Sequence, residues 1–329
     1  MKKFVYILMM LLIPCGIIAQ DGVTVEIRDG VFSETLKVKM ENQLEKLLVM
    51  MNESQRDNKK SLNFRGIDIT QEARQTILQL WKYQRMHVWV DVEDEDVYIC
   101  EDGIRFGTDG YQIRNIPMHI YPVDGTTPKD EYTEVCVNFN GQGKIVDFNV
   151  TLAQQQYKEI VKNAIDVQDE YNRKMLIHWM EQLATAYNQR DMQFFRNVFS
   201  EDALIITGVR KFNRQKTDVR IKDQERFEYN IKTKEEYLAK LNEIFDVKKN
   251  PSINIVFGND AEYRRHGGNP RYYMVDVTQY WNTTGYSDVG HLFVLWDFKD
   301  PDRPQILVRA WQHPDDEKRW SARDFNLPQ

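Results

Sequence analysis

Apolar and polar residues along this chain change period several times, and each change marks an element. An unbroken apolar run at residues 4–13 gives way to polar sequence at Gln20-Asp21. Val23, Val25 and Ile27 then alternate with polar residues, the period of a short strand, which Asp29-Gly30 ends. Behind Ser33 as N-cap, Leu36, Met40, Leu44, Leu47, Leu48 and Met51 recur at helical spacing, and polar residues 52–60 close that helix. Thr70 is followed three residues later by Ala73 rather than Glu. It is therefore a plain N-cap, and its helix turns Ile77, Leu78 and Trp81 inward. The period then becomes two, with Val88, Val90 and Val92, an acidic turn at residues 93–96, and Val97 and Ile99 beyond it. Residues 111–121 form a further strand. Residues 135–139 and 145–148 flank Asn140-Gly141-Gln142-Gly143, a hairpin whose Asn-Gly pair is expected to supply positive φ angles.

The same reading continues through the second half. Tyr157, Ile160, Val161 and Ala164 give a connecting helix, and no Pro/Gly/Ser linker intervenes, so the two halves are expected to pack together. A long helix follows with Leu176, Trp179, Met180, Leu183, Ala186 and Tyr187 on one stripe. Asp191 caps a short aromatic helix with Phe194, Phe195, Val198 and Phe199, and residues 203–207 are a strand. A charged excursion at 209–232 reads as a hairpin; a helix at 234–245 and four strands at 253–263, 272–281, 291–298 and 306–312 complete the chain. The predicted organisation is a leader at 1–19, an N-terminal α+β module at 20–153, a connecting helix at 154–166 and a C-terminal module at 167–329. The fold class is α+β: helices on a strongly curved, cone-like antiparallel sheet in the C-terminal module, preceded by a smaller module of helices and then an antiparallel meander.

Charge and composition set the address. Lys2 and Lys3 precede the apolar run, Pro14 breaks it, and Gly16-Ile17-Ile18-Ala19 offers a peptidase site. That order is a secretory signal peptide, with cleavage expected after Ala19. An uncleaved anchor is the competing reading, although the run is shorter than the ~20 apolar residues of a bilayer span. A lipid on Cys15 is another, opposed by Pro14 before it. The expected location is the periplasm or the cell surface. Of 44 basic residues the leader takes two, leaving 42 against 50 acidic ones, a formal charge of −8 where the whole chain has −6. A modest acidic balance disfavours nucleic acid as a partner. No later stretch reaches membrane length.

With Cys15 removed, Cys100 and Cys136 remain, both on predicted strands and on the face shared with Tyr98 and Asn138. They form a candidate disulfide in an oxidising compartment, or else two half-buried thiols. His87, His119, His178, His266, His291 and His313 are scattered without metal-ligand spacing, so no metal or other cofactor is expected. No nucleophile elbow or phosphate-cradling glycine loop occurs. The acidic run 93–96 lacks the ligand spacing of a calcium loop.

The C-terminal module resembles a family. Tyr187-Asn188-Gln189-Arg190-Asp191, then Phe194-Phe195, then Val198-Phe199-Ser200-Glu201-Asp202-Ala203-Leu204 is similar to the opening of nuclear transport factor 2-like domains. Gly290-His291-Leu292-Phe293-Val294-Leu295-Trp296-Asp297-Phe298 and Val308-Arg309-Ala310-Trp311-Gln312 resemble segments of exported Gram-negative bacterial members. The resemblance implies a cone of the ketosteroid isomerase and polyketide cyclase kind, a superfold that hosts both enzymes and non-enzymatic binders. Enzymatic members resemble one another in placing an acid and a tyrosine inside the cone.

The residues that reach for the cone interior here are Tyr187, Asp202, Tyr280, Trp296, Arg309 and Trp311. Arg309 shares its strand face with Leu307 and Trp311, so its guanidinium must be paired, stacked or offered to an anionic ligand. Asp297, Asp276 and Asp202 are its candidate internal partners. No residue here matches an enzymatic motif, so no catalytic residue is assigned. The leading expectation is a non-catalytic exported protein that binds a small ligand or an envelope protein, with homodimerisation open. The alternative is a small-molecule isomerase, cyclase or dehydratase with Asp202 or Tyr187 as proton carrier; a third is an interaction scaffold with no open pocket.

Overall fold

The computed structural model describes residues 22–88, 97–107, 109–121, 132–151, 160–213, 224–258, 260–316 and 319–325, with the side chains of 132, 209–213 and 224–227 left aside. The expected leader at 1–19, the expected acidic turn at 93–96, residues 214–223 of the charged excursion and the first part of the expected connecting helix lie outside them.

The caps read from sequence are in place. Ser33 accepts from the Leu36 amide at the start of α1 (Glu34–Arg56), and Thr70 from Ala73 at the start of α2 (Gln71–Gln84). Met40, Leu44, Leu47, Leu48 and Met51 of α1 are fully buried, each contributing about 1.5–3 kcal/mol of burial. They cover a five-stranded sheet made of β2 (His87–Val88), β4 (Ile104–Phe106), β5 (Gly110–His119), β6 (Tyr132–Phe139) and β7 (Ile145–Val150). Its strand pairs are all antiparallel, as expected. The first strand departs from a simple meander. β1 (Val23–Ile27) pairs in parallel with β3 (Val97–Glu101) as a separate two-stranded sheet. Its outer amides are satisfied by α1: Val25 N–H donates to Glu45 at 3.0 Å and Ile27 N–H to Glu41 at 2.8 Å.

The β6–β7 hairpin forms, but its turn differs from the sequence expectation. The positive φ lies at Gly143 (73°), not at the Asn-Gly pair. Asn140 instead uses its side-chain oxygen to accept from the amides of Gln142 and Lys144, both at 3.0 Å, which closes a longer loop.

In the C-terminal half, residues 160–162 are helical and Asp166 caps α3 (Val167–Gln189). Asp191 caps α4 (Met192–Val198) through the amides of Gln193 and Phe194. Thr233 and Glu236 form a capping box on α5 (Lys234–Ile244). The sheet runs β10 (Ile253–Phe257), β12 (Tyr272–Thr283), β13 (Tyr286–Asp297), β14 (Gln305–Gln312), β8 (Phe199–Asn213), β9 (Gln224–Lys232), with β11 (Glu262–Arg265) also on β12. It is a strongly curved half-barrel, antiparallel except where β14 meets β8 in parallel. Register shifts at Leu295/Trp296 and Ile306/Val308 help to bend it.

Each face of this sheet has its own cover. Ile205, Tyr273, Val275, Val277, Leu292, Val294 and Trp296 face α3, α4 and α5 on the concave side. On the outer side, Tyr272, Phe293, Leu295, Val308 and Ala310 lie under the C-terminal segment, where Phe325 stacks on Phe293 at 5.5 Å between centroids.

The long helix α3 serves both halves and is buried on most of its circumference. Against β5–β7 it presents Glu181, whose carboxylate is paired with Arg114 of β5; both side chains are almost wholly inaccessible. Thr185 accepts from the Val150 amide at 3.1 Å, and Gln182 donates to Asp147 at 3.3 Å. Ile104 and Phe106 of the N-terminal half pack into the C-terminal core. The halves are therefore packed together through a buried polar seam, as the missing linker suggested. No helix among the described residues is long and apolar enough to cross a membrane.

Candidate functional site

On the concave face, a small polar cluster centred on Arg309 lies among apolar residues. Arg309 pairs in register with Val294 on one side and Ile205 on the other, both core residues, so its side chain enters the space beneath α3 and α5. Its residue is 3% exposed. Nε donates to the Tyr187 phenol oxygen at 3.1 Å, and an Nη donates to Gln279 Oε1 at 3.2 Å. The guanidinium also lies over the Tyr237 ring, 5.2 Å from its centroid. Tyr187 and Tyr237 share a hydrogen bond of 2.6 Å.

Donors outnumber acceptors in this cluster. Arg309 carries five N–H groups, each tyrosine one O–H and Gln279 two N–H, while the acceptors are two phenol oxygens and one amide oxygen. The Gln279 amide nitrogen is buried and makes no hydrogen bond. Burial pushes the Tyr237 hydroxyl well above its ordinary pKa, so this phenol stays neutral. The three carboxylates proposed as internal partners are elsewhere. Asp297 pairs with Arg271 and Asp276 with Arg264, while Asp202 is exposed. Among the described residues, then, Arg309 is a buried cation with no carboxylate against it.

The other expected site residues divide. Trp311 follows Arg309 by two positions and lies opposite Leu292, on the same concave face. A Cβ at Gly208 or Gly290 would fall 2.0 or 2.2 Å from its ring, so the indole rests directly on two bare backbone positions. Trp296 is in the same core but packs against Trp179, with centroids 6.4 Å apart, and does not join the cluster. Tyr280 is not brought in. It alternates with Gln279 and Trp281 along β12, points to the outer face and is 43% exposed. Asp202 sits in the β8 bulge, where Phe199 and Leu204 oppose Ile306 and Val308; the extra residues there turn it to solvent.

Two members of the cluster were not singled out from sequence. Tyr237 had the signal of helical spacing to the buried Leu241. Gln279 had a stronger one, as a lone polar residue continuing the inward alternation Tyr273, Val275, Val277.

Cys100 and Cys136 do not form the bridge offered as one reading. Both are free, and they belong to different sheets, Cys100 to the β1–β3 pair and Cys136 to the buried seam. Burial raises the Cys136 thiol well above its usual pKa, with Glu181 adding to the effect, so it is no activated nucleophile. Among the described residues, no His/Cys/Asp/Glu group is arranged to hold a metal ion.

No protein-family profile matches the chain, and no curated protein matches it. Similar solved structures include a nuclear transport factor 2-like protein from Cytophaga hutchinsonii, at 14% identity over 43% of this chain and 97% of that one, TM-score 0.31. Another is a nuclear transport factor 2-like protein of unknown function from Shewanella oneidensis, at 13% identity over 42% and 96%, TM-score 0.29. A third is ActVI-ORFA from Streptomyces coelicolor, at 10% identity over 43% and 96%, TM-score 0.28.

Proposed function

We propose that this chain is an exported, non-catalytic binding protein whose concave C-terminal site holds a small ligand through an anionic or acceptor-rich group. The observation that carries the reading is Arg309, a buried guanidinium facing phenols and an amide instead of a carboxylate. A buried charge is normally paired. A ligand oxyanion would supply the missing charge, and the unused Gln279 N–H would find its acceptor in the same group. The neighbouring core residues Ile205, Leu292 and Val294 and the partly buried Trp281 are apolar, which suits the remainder of a mostly hydrocarbon molecule. The Lys2-Lys3, apolar-run and Ala19 pattern is what supports export, and with it a periplasmic or surface location. The isomerase-like alternative loses Asp202 as proton carrier, since its carboxyl is solvent-exposed; the Tyr187–Tyr237 pair beside Arg309 is what keeps that alternative in view.

The test uses protein secreted by a bacterial host from the full sequence. Intact mass reports whether cleavage follows Ala19, and native mass spectrometry reports any retained ligand. A thermal-shift panel of small carboxylates is then compared between this protein and Arg309→Met. The reading expects stabilisation or retention that the variant loses. Equal behaviour of the two proteins, with the variant folded, overturns it.

A further inference from the structure

We infer that the chain has a second ligand site, a surface cleft between α3, α4 and the β13–β14 connection, which takes a ring compound bearing a carboxylate. The cleft encloses about 620 Å³, and its walls include Trp179, Phe194, Arg196, Lys234 and Arg303. It lies apart from Arg309, which is not among its lining residues.

Two observations single it out. The first is charge. Among the lining residues, Arg196, Lys234 and Arg303 face a single acid, Glu201, a balance of +2 for the cleft wall on a chain whose formal charge is −6. Lys234 is already answered: its ammonium is buried and bonds to Glu201 at 2.7 Å and to the Phe199 carbonyl at 2.9 Å. Glu201 is thereby engaged, and among the described residues no carboxylate pairs with Arg196 or Arg303. Two guanidinium forks at one cleft match a carboxylate better than a diffuse charge.

The second observation is the aromatic wall. Trp179 and Phe194 are half-buried, with ring centroids 6.1 Å apart and planes 31° from parallel. Trp179 is held in place by its indole N–H, which donates to the Pro301 carbonyl at 3.3 Å, and it is backed by Trp296. A fixed aromatic surface beside guanidinium groups accepts a flat or ring-shaped body by stacking while the arginines take its charge. Gln182, Asn197 and Gln305 also line the cleft. An aromatic acid and a uronic acid share this chemistry, and the experiment separates them.

Isothermal titration of the intact secreted protein is run with 2-naphthoate and, separately, with digalacturonate. The same titrations are run on Arg196→Glu/Arg303→Glu and on Arg309→Met. Both arginines are exposed, so the double variant leaves the core untouched, which circular dichroism verifies. Saturable binding of one probe is expected, falling by about tenfold or more in the double variant and at raised salt, and unchanged in Arg309→Met. Absence of saturable binding by both probes overturns the inference. So does binding that survives the double variant, or that disappears with Arg309, because the probe would then occupy the concave site.

Discussion

Arg309 on β14 and Tyr187 near the end of α3 are joined by a hydrogen bond of 3.1 Å across a sequence separation of 122 residues, deep in the concave core. The pair holds a cation in place without neutralising it. An isolated buried charge lowers stability, and its replacement by an apolar residue of similar length is often neutral or stabilising. Arg309→Met should therefore unfold in urea at a free energy equal to or above that of the parent in the absence of ligand, while losing ligand-induced stabilisation. A loss of several kcal/mol in the ligand-free variant would show that the guanidinium is a structural member of the core.

The seam between the halves behaves in the opposite way. Arg114 and Glu181 are ion-paired with 2% and 1% of their side chains exposed. Removing one partner strands the other in the interior, so Glu181→Ala should cost about 3–5 kcal/mol in chemical denaturation. Its effect should reach both halves, because β5 and α3 lose the same contact; circular dichroism of the variant at rest would register the change. A cost below about 1 kcal/mol would mean that water reaches the pair.

Trp311 depends on two absent side chains. Gly290→Ala places a Cβ where the indole now lies, 2.2 Å from its nearest atom, and the ring must shift. Overpacking of this kind should cost about 1–3 kcal/mol and should change the near-ultraviolet signal of the tryptophans. An unaltered spectrum with unaltered thermal midpoint would contradict the close approach.

Acid should weaken the fold in a defined window. Burial lowers the pKa of His178 below 6.5, against the opposing pull of Asp147 and Glu181, and burial lowers His87 as well. The Nε2 of His178 meets the Gln182 amide at 3.0 Å, and its Nδ1 is buried without a hydrogen bond, an arrangement that suits the neutral ring. The unfolded chain takes up these protons near its ordinary histidine pKa, and the folded chain does so only at lower pH. Their contribution is thus fully present above about pH 6.5 and is lost as pH falls through the folded values. Urea midpoints from pH 8 to pH 5 should fall accordingly, and His178→Phe should flatten part of that slope. A slope unchanged by this substitution would place the acid sensitivity elsewhere.

Much of the architecture is legible in the chain because it is local. Ser33, Thr70 and Asp191 cap the helices that follow them, since the capping oxygen and the amide it satisfies are two or three residues apart. The Asn140 turn is an instructive departure. The dipeptide is a strong hairpin signal, but the oxygen of Asn140 accepts from Gln142 and Lys144, and the positive φ falls at Gly143, where glycine adopts it freely. Asp202 and Tyr280 were misplaced for a related reason. A bulge at the β8–β14 junction shifts the alternation that periodicity relies on, and Tyr280 is one residue out of phase with the inward-facing Gln279 and Trp281.

The sequence by itself determined, for most of the described segments, which are helix and strand and which stripe of each is apolar. Those properties depend on spacing along one element. Only the tertiary structure decided that α3 belongs to both cores, that Cys100 and Cys136 lie in different sheets, and that Tyr187, Tyr237, Gln279 and Arg309 converge without an acid among them. Periodicity tells a side chain that it is buried but not against what, and the balance of charge in a core depends on partners brought from far along the chain.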